Sequence, residues 1–157
     1  MKVKVICVGK TKKGYLLEGI EEYLSRLKHY VHVEWIEVRS SQRRKSAPVE
    51  EGLRQEAEGI RSHIHPSALM VVLGDGGREY SSREFAQWLE YSMVEGRQEI
   101  DFVIGGDQGI APTLTEEACM CISLSRMTFT HQMVRLILLE QLYRAFSIMR
   151  GEPYHHG

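Results

Sequence analysis

Cysteines are few in this sequence and long apolar runs are absent. The 157 residues include only Cys7, Cys119 and Cys121, without C-x-x-C spacing, which does not indicate a disulfide framework or a zinc site. Cys7 falls in an apolar run that predicts a strand, so we expect a small buried side chain there. No segment approaches the ~18 apolar residues that span a bilayer, and the N-terminal apolar run is too short for a signal peptide. We therefore expect a cytoplasmic protein without membrane contact.

An excess of charge of either sign is also lacking. The formal net charge is −1, so no global field draws the chain toward nucleic acid or anionic lipid. The length predicts one domain, residues 1–157, which can bury a core without a disulfide or a metal. Any contact with RNA must come from local basic loops, where a solvated surface is the alternative interpretation. These loops contain Lys10, Lys12 and Lys13, and Arg39, Arg43, Arg44 and Lys45.

Three common motifs are missing as well. The GDGGRE segment does not fit G-x-G-x-x-G, and the early GKT lacks the P-loop glycine five residues before Gly9, where Lys4 stands. This argues against a Rossmann dehydrogenase and a P-loop NTPase. The pairs His63/His65 and His155/His156 have no cysteine or carboxylate at a ligand-like interval, so we predict no metal site. Solvated surface histidines are the better interpretation of the first pair.

Strand and helix patterns alternate along the chain. Apolar or alternating runs predict strands at 2–8, 31–38, 68–73, 100–104 and 120–124. Helical spacing predicts helices at 15–29, 49–64 and 132–149, and capping-box patterns begin two more at Ser81 (with Glu84) and Thr113 (with Glu116). The segment 74–80 predicts a glycine-rich turn. The order predicts an α/β fold with a mostly parallel sheet and helices on both faces.

Three irregular segments follow the third, fourth and fifth predicted strands. They begin at Gly74, at Gly105–Gly106 and at Ser125. In open α/β sheets, ligands bind beyond the carboxyl ends of the strands, and glycine there lets the backbone approach a ligand closely. No lysine directly follows these glycines, which suits a neutral or zwitterionic ligand better than a phosphate. The other interpretation, that the glycines only make tight turns, remains open at this point.

Longer motifs carry a family resemblance. They are KVKVICVGK at 2–10, SSREFA at 81–86, FVIGGDQGI at 102–110 and SLSRMTFTHQMVRLILLEQLYRAFSIMRGEPYH at 123–155. In this order they closely resemble the RlmH family, SPOUT-class methyltransferases that modify a pseudouridine of large-subunit ribosomal RNA. The resemblance covers essentially the whole chain.

The resemblance implies a fold and a cofactor. The fold is a SPOUT-type α/β domain with a C-terminal trefoil knot, which departs from the usual rule against knots. The cofactor is S-adenosyl-L-methionine, and the enzyme is a homodimer in which the partner chain completes the site. Carried over by position, the cofactor-binding residues are Leu73, Gly105, Leu124, Ser125, Arg126, Met127, Thr128 and Phe129.

The resemblance also implies a reaction, methylation of N3 of a pseudouridine in the helix 69 loop of 23S ribosomal RNA. Arg144 would steady the deprotonated ring or a phosphate, Tyr154 would position the base, and His155 would accept the proton. The alternatives are a salt-bridged surface arginine and a frayed tail. His131 matches a family position, but capping or packing at a helix start is at least as good an explanation.

Two departures from the family pattern stand out. Thr130 replaces a proline, which predicts a looser loop beside the cofactor. The tail ends in His155-His156-Gly157, where a lysine or arginine usually follows the first histidine, which predicts weaker phosphate contact. Two rival functions remain: a methyltransferase of this fold acting on another RNA such as transfer RNA, and a non-enzymatic α/β ligand-binding module.

Overall fold

A computed structural model describes residues 1–41 and 45–157. Arg43 and Arg44, part of the second predicted basic loop, lie outside the described residues. The strands are β1 (Lys2–Val8), β2 (His32–Val38), β3 (Leu69–Glu79), β4 (Glu99–Ile104) and β5 (Met120–Ser123). The helices are α1 (Tyr15–Leu27), α2 (Val49–Arg61), α3 (Ser82–Val94), α4 (Pro112–Glu117) and α5 (His131–Met149).

The five strands form one sheet in the order β2-β1-β4-β3-β5, and every neighbouring pair is parallel. The expected α/β architecture with a parallel sheet is therefore confirmed. Because all strands run the same way, their carboxyl ends lie at one edge of the sheet. The segments that follow the strands meet at that edge.

Helices cover both faces of the sheet, as the alternation of side chains along β1 shows. Val3, Val5 and Cys7 point to the face covered by α1, α3 and α5, while Ile6 and Val8 point to the face covered by α2 and α4. This two-residue period is the geometry of a pleated strand. Cys7 is fully buried, as expected, and burial raises the pKa of its thiol to about 12, which keeps it protonated.

Helix starts show where capping patterns succeed and fail. The Ser81 capping box is confirmed, since Ser81 Oγ accepts from the Glu84 amide (3.2 Å) and Glu84 Oε2 accepts from the Ser81 amide (2.7 Å). The box predicted at Thr113 is wrong, because α4 begins at Pro112 after Ala111, without a side-chain cap. The Thr113 hydroxyl instead accepts a hydrogen bond from Arg61 (3.3 Å).

The glycine-rich segment 74–80 is not the separate turn that the sequence predicts. β3 continues through most of it, to Glu79, with a bulge. Both Leu73 and Arg78 lie opposite Ile122, so residues 74–77 project from the ladder. A side chain at Gly77 would place its Cβ 2.8 Å from the Cys121 backbone. Glycine is therefore needed here for the close approach of two strands.

The trefoil knot that the resemblance implies stays a prediction.

Within residues 1–41 and 45–157, no helix is long and apolar enough to cross a membrane.

Candidate active site

A large cavity opens at the carboxyl edge of the sheet. Its volume is about 1,110 Å³, slightly above the range of roughly 300–1,000 Å³ for small-ligand sites. The bulge of β3 and the segments after β4 and β5 form its walls together with the first turns of α1 and α5. The lining residues lie within 72–75, 104–110, 121–125 and 127–134, with Lys12, Tyr15, Leu16 and Thr115 completing the wall.

The wall after β4 is a tightly closed backbone loop. Gly106 and Gly109 form an antiparallel bridge, and the Gly109 amide donates to the Gly106 carbonyl (3.1 Å). A Cβ at Gly105 would lie 2.4 Å from the Gly109 carbonyl oxygen and 2.7 Å from Ile110 Cγ1. Only glycine fits at Gly105, so at this point the loop offers the cavity backbone rather than a side chain.

The wall after β5 is held by short hydrogen bonds to serines. Ser123 Oγ donates to the Ser125 carbonyl (2.8 Å), and the Met127 amide donates to Ser125 Oγ (2.9 Å). The loop ends at Thr130, whose Oγ1 accepts from the Met133 amide (3.2 Å) and caps α5. Thr130 therefore supplies a helix cap that the family proline lacks.

Seven of the eight residues predicted to bind the cofactor line this cavity. They are Leu73, Gly105, Leu124, Ser125, Met127, Thr128 and Phe129. The eighth, Arg126, is exposed and does not line it. Cofactor binding by these eight residues, Arg126 included, stays a prediction.

Charged side chains stand at three points of the wall: Lys12, Asp75 and Asp107. His131 also lines the cavity, at the first position of α5 as expected. Partial burial, and then the nearby Arg135 charge, lower the pKa of His131, which favours its neutral form. Neither Asp75 nor Asp107 could be singled out from the sequence, since an acidic residue in a glycine-rich loop is common in any turn.

Hydrogen bonds from Gln132 and Arg135 connect the segment between β1 and α1 to the start of α5, and neither residue was predicted from the sequence to have a role in the site. Arg135 has no exposed surface and donates to the Val8 carbonyl (2.7 Å), Thr11 Oγ1 (2.9 Å) and Glu37 Oε2 (3.3 Å). The Gln132 amide accepts from the Lys12 amide and donates to the Lys10 carbonyl, both at 3.0 Å. These bonds fix residues 10–12 relative to the cavity.

The three predicted catalytic residues come together, but elsewhere. Arg144 Nη1 donates to His155 Nδ1 (3.2 Å), and the Arg144 guanidinium carbon lies 4.9 Å from the centroid of the Tyr154 ring. Arg144 also pairs with Glu140. The Tyr154 hydroxyl contacts Glu140 Oε1 (3.2 Å) and Tyr23 Oη (3.0 Å), and burial is the main cause of its raised pKa. The tail is thus packed against α1 and α5 rather than frayed.

None of these three residues lines the cavity. Arg144 follows His131 by thirteen positions on α5, which separates them by about 20 Å along the helix axis. Within one chain, the structure therefore shows two clusters of predicted site residues at opposite ends of α5.

Metal ligands are not gathered anywhere in the described part of the chain. No group of three or more His, Cys, Asp or Glu side chains within residues 1–41 and 45–157 is arranged to hold an ion. His63 and His65 are exposed, as expected.

A parallel α/β sheet with a cavity at the carboxyl edge defines the class of α/β proteins that hold a small ligand beyond their strand ends. Comparison with known proteins identifies the member of this class. Residues 1–155 match the family described as "Predicted SPOUT methyltransferase". The chain belongs to this family and is a methyltransferase.

Two of its relatives carry the name "Ribosomal RNA large subunit methyltransferase H". The protein from Geotalea daltonii is 45% identical over 156 residues, which covers 99% of this chain and all of the relative. The protein from Desulforamulus reducens is 42% identical over 158 residues and covers 99% of each chain. A solved structure, a probable methylase family protein from Haemophilus influenzae Rd KW20, has a TM-score of 0.55 at 13% identity over 99% of this chain and 70% of that one. At that identity it supports the fold alone.

Proposed function

We propose that this chain transfers a methyl group from S-adenosylmethionine to N3 of a pseudouridine in the helix 69 loop of large-subunit ribosomal RNA, in the cytoplasm. The observation that carries the proposal is full-length similarity, above 40% identity, to relatives named as large-subunit ribosomal RNA methyltransferases. The site and the position on the RNA come from the motifs shared with the RlmH family.

The cavity suits this cofactor. When bound, S-adenosylmethionine supplies a methyl group activated by a sulfonium. The residues that would hold it are Leu73, the Gly105 loop and the 124–129 segment, all of which, except Arg126, line the cavity. Asp75 and Asp107 offer carboxylates to its cationic groups.

Arg144 and His155 have the chemistry needed at the pseudouridine ring that receives the methyl group. The N3–H of pseudouridine is weakly acidic, so the site must remove this proton and stabilise the negative charge that develops. Arginine only donates hydrogen bonds. His155 Nδ1, 3.2 Å from Arg144 Nη1, must therefore accept, and Nε2 carries the proton of the neutral ring. For His155 to take a proton at Nδ1, Arg144 must first turn to the RNA, where its charge would stabilise the deprotonated ring.

We further propose a homodimer in which the second copy completes each site. The distance of about 20 Å between the cavity end of α5 and Arg144 supports this, because a rigid helix cannot bring its own two ends together. In a two-fold dimer, the Arg144 cluster of one copy can lie beside the cavity of the other.

Two measurements test the reaction. Calorimetry should show stoichiometric binding of S-adenosylmethionine, which a non-enzymatic module would lack. Tritiated methyl transfer should occur on ribosomes that contain the helix 69 pseudouridine. It should not occur on transfer RNA or on ribosomes with uridine at that position. Transfer to transfer RNA alone would favour the second candidate substrate, and no transfer to intact ribosomes would refute the proposal.

Mixing two inactive variants tests the shared site. A Gly105→Ala chain is designed to lack the cofactor site, and an Arg144→Ala chain to lack the RNA-facing group. After denaturation and refolding together, random pairing should restore about a quarter of wild-type turnover per chain, because half of the dimers have one intact site of two. No recovery, with dimers present by sedimentation, would show that both groups act within one chain.

A further inference from the structure

We propose that residues 10–15, which comprise the loop after β1 and the first residue of α1, form a docking surface for the substrate RNA. In this surface Lys10, Lys12 and Lys13 bind backbone phosphates, and Tyr15 stacks on an unpaired base. The inference rests on the proposed RNA substrate and names the part of the chain that receives it.

Charge is the first reason. Residues 9–17 carry three lysines and no acidic residue, in a chain whose formal net charge is −1. All three lysines are exposed, and none of them forms a side-chain ion pair within the described residues. The acid fastened beneath the loop, Glu37, is already engaged by Arg135 and by the Thr11 amide. The lysines are therefore free to bind an anion, and a phosphate backbone offers anions at regular spacing.

Position is the second reason. Lys12 and Tyr15 belong to the wall of the cofactor cavity, so an RNA strand held there would bring its bases to the cavity mouth. The Tyr15 side chain is 74% exposed, although large aromatic side chains are usually at least partly buried. An exposed aromatic ring beside several lysines is the arrangement by which proteins hold single-stranded loops, with the ring under a base and the cations on the backbone.

Rigidity is the third reason. The Gln132 amide brackets the loop through the Lys12 amide and the Lys10 carbonyl, and Arg135 holds Val8 and Thr11 from below. Both anchors come from the first turns of α5, directly after the 124–130 wall of the cavity. The lysines are thus presented from a backbone that is already ordered, which reduces the entropy lost on binding.

The test compares two sets of variants by RNA affinity as a function of salt. The triple variant Lys10→Gln, Lys12→Gln, Lys13→Gln removes the charges, and Lys28→Gln, an exposed lysine at the far end of α1, is the matched control. The probe is the ribosome that contains the helix 69 pseudouridine. Between 50 and 200 mM salt, wild-type affinity should fall roughly 20- to 40-fold further than that of the triple variant, because three phosphate contacts are lost. The control should keep the wild-type salt dependence.

The tyrosine is tested separately. Tyr15→Ala should weaken binding of the same ribosomes roughly 5- to 150-fold, the range for loss of one base–aromatic stack, and Tyr15→Phe should keep wild-type affinity. Calorimetry on all variants should show an unchanged Kd for S-adenosylmethionine.

The outcomes separate this surface from the function on which it rests. If the wild type neither binds nor methylates ribosomes, the RNA substrate itself is refuted. If the wild type does both and the triple variant keeps its salt dependence, the surface alone is refuted. A weakened Kd for S-adenosylmethionine with unchanged RNA binding would also overturn the proposal, since these lysines would then serve the cofactor.

Discussion

Substituting Gly105 with alanine adds only one methyl group, but it should displace a wall of the cofactor cavity. The added Cβ would lie 2.4 Å from the Gly109 carbonyl oxygen and 2.7 Å from the Gly109 carbonyl carbon. Relief to an ordinary contact requires the two backbone segments to separate by roughly 1 Å, since non-bonded atoms rest at about 3.5 Å. The obstacle is backbone, so no rotamer change can provide that space.

The consequence should be measurable both in binding and in turnover. The loop that moves forms a cavity wall, and a displacement of roughly 1 Å at a reaction site costs on the order of 100-fold in rate. Overpacking of this kind costs about 1–3 kcal/mol in the free energy of unfolding. We expect Gly105→Ala to raise the Kd for S-adenosylmethionine and to lower kcat/KM on ribosomes about 100-fold, measured at a temperature where circular dichroism shows the variant folded.

The neighbouring glycine provides the matched control. A Cβ at Gly106 would meet only the Val8 side chain, at 3.3 Å, a contact that a small rotation can relieve. Gly106→Ala should therefore retain activity within a few-fold. Wild-type affinity and turnover in Gly105→Ala, or equal losses in the two variants, would refute the close-packing argument.

Three further substitutions test parts of the structure away from the cavity loops. Burial raises the pKa of Asp101 to about 6, so ionisation of this carboxyl group lowers the free energy of unfolding as the pH rises from ~4 to ~6. In urea unfolding at pH 8, Asp101→Asn should therefore be more stable than the wild type by up to about 3 kcal/mol. At pH 4 the two proteins should be equally stable. Thr130→Ala removes the hydroxyl that caps α5 and should cost about 1 kcal/mol in the same assay. Arg135→Met leaves the Val8 carbonyl without its donor and should cost about 1–3 kcal/mol, whereas an unchanged denaturation midpoint would show that the buried arginine contributes nothing.

The Asp101 prediction has a structural basis beyond burial. Its carboxyl group is hydrogen-bonded to Glu99, and both lie beside Lys4, which is 2.9 Å from Glu99 Oε1 and 3.8 Å from Asp101 Oδ2. Asp101 Oδ1 is buried and has no hydrogen-bond donor among the described residues unless a proton lies between the two acids. An asparagine amide at position 101 can supply this donor without a charge, so the substitution imitates the protonated acid.

Local patterns carried most of the fold. The alternation in 32–38, the Ser81 capping box and the apolar runs of β1 and β4 depend on neighbouring residues, so the sequence shows them directly. The continuation of β3 through Gly74 and Gly77 depends instead on pairing with β5, more than forty residues further along the chain. A bulge and a turn have the same local composition, and only the position of the second strand distinguishes them.

The candidate site divides in the same way. The rule that ligands bind beyond strand ends, together with the family motifs, led to the cavity wall, including Leu73 and Gly105. Arg135 was hidden because a single cation in an apolar helix pattern predicts an exposed side chain, and its partners Val8 and Glu37 are about a hundred residues away. The packing of the tail was hidden for a similar reason, since the Tyr154 hydroxyl contacts Tyr23 across nearly the whole sequence.

Helix α5 connects these features, and its geometry constrains the proposed mechanism. Its first turns hold the loop of residues 10–12 and line the cavity through His131, while Arg144 stands about 20 Å further along the same axis. A rigid helix keeps the cavity and the Arg144 cluster apart within one chain, and a small shift of the C-terminal tail would not bring them together. In a dimer whose two α5 helices run in opposite directions, the cavity of each copy would lie beside the Arg144 cluster of the other copy. The basic residues 10–15 would then flank each combined site. RNA bound there would touch both chains, so RNA binding and dimerisation should strengthen each other. Subunit dissociation measured by sedimentation at low protein concentration should therefore decrease when the RNA is added, and dissociation unaffected by RNA would contradict a site shared between chains.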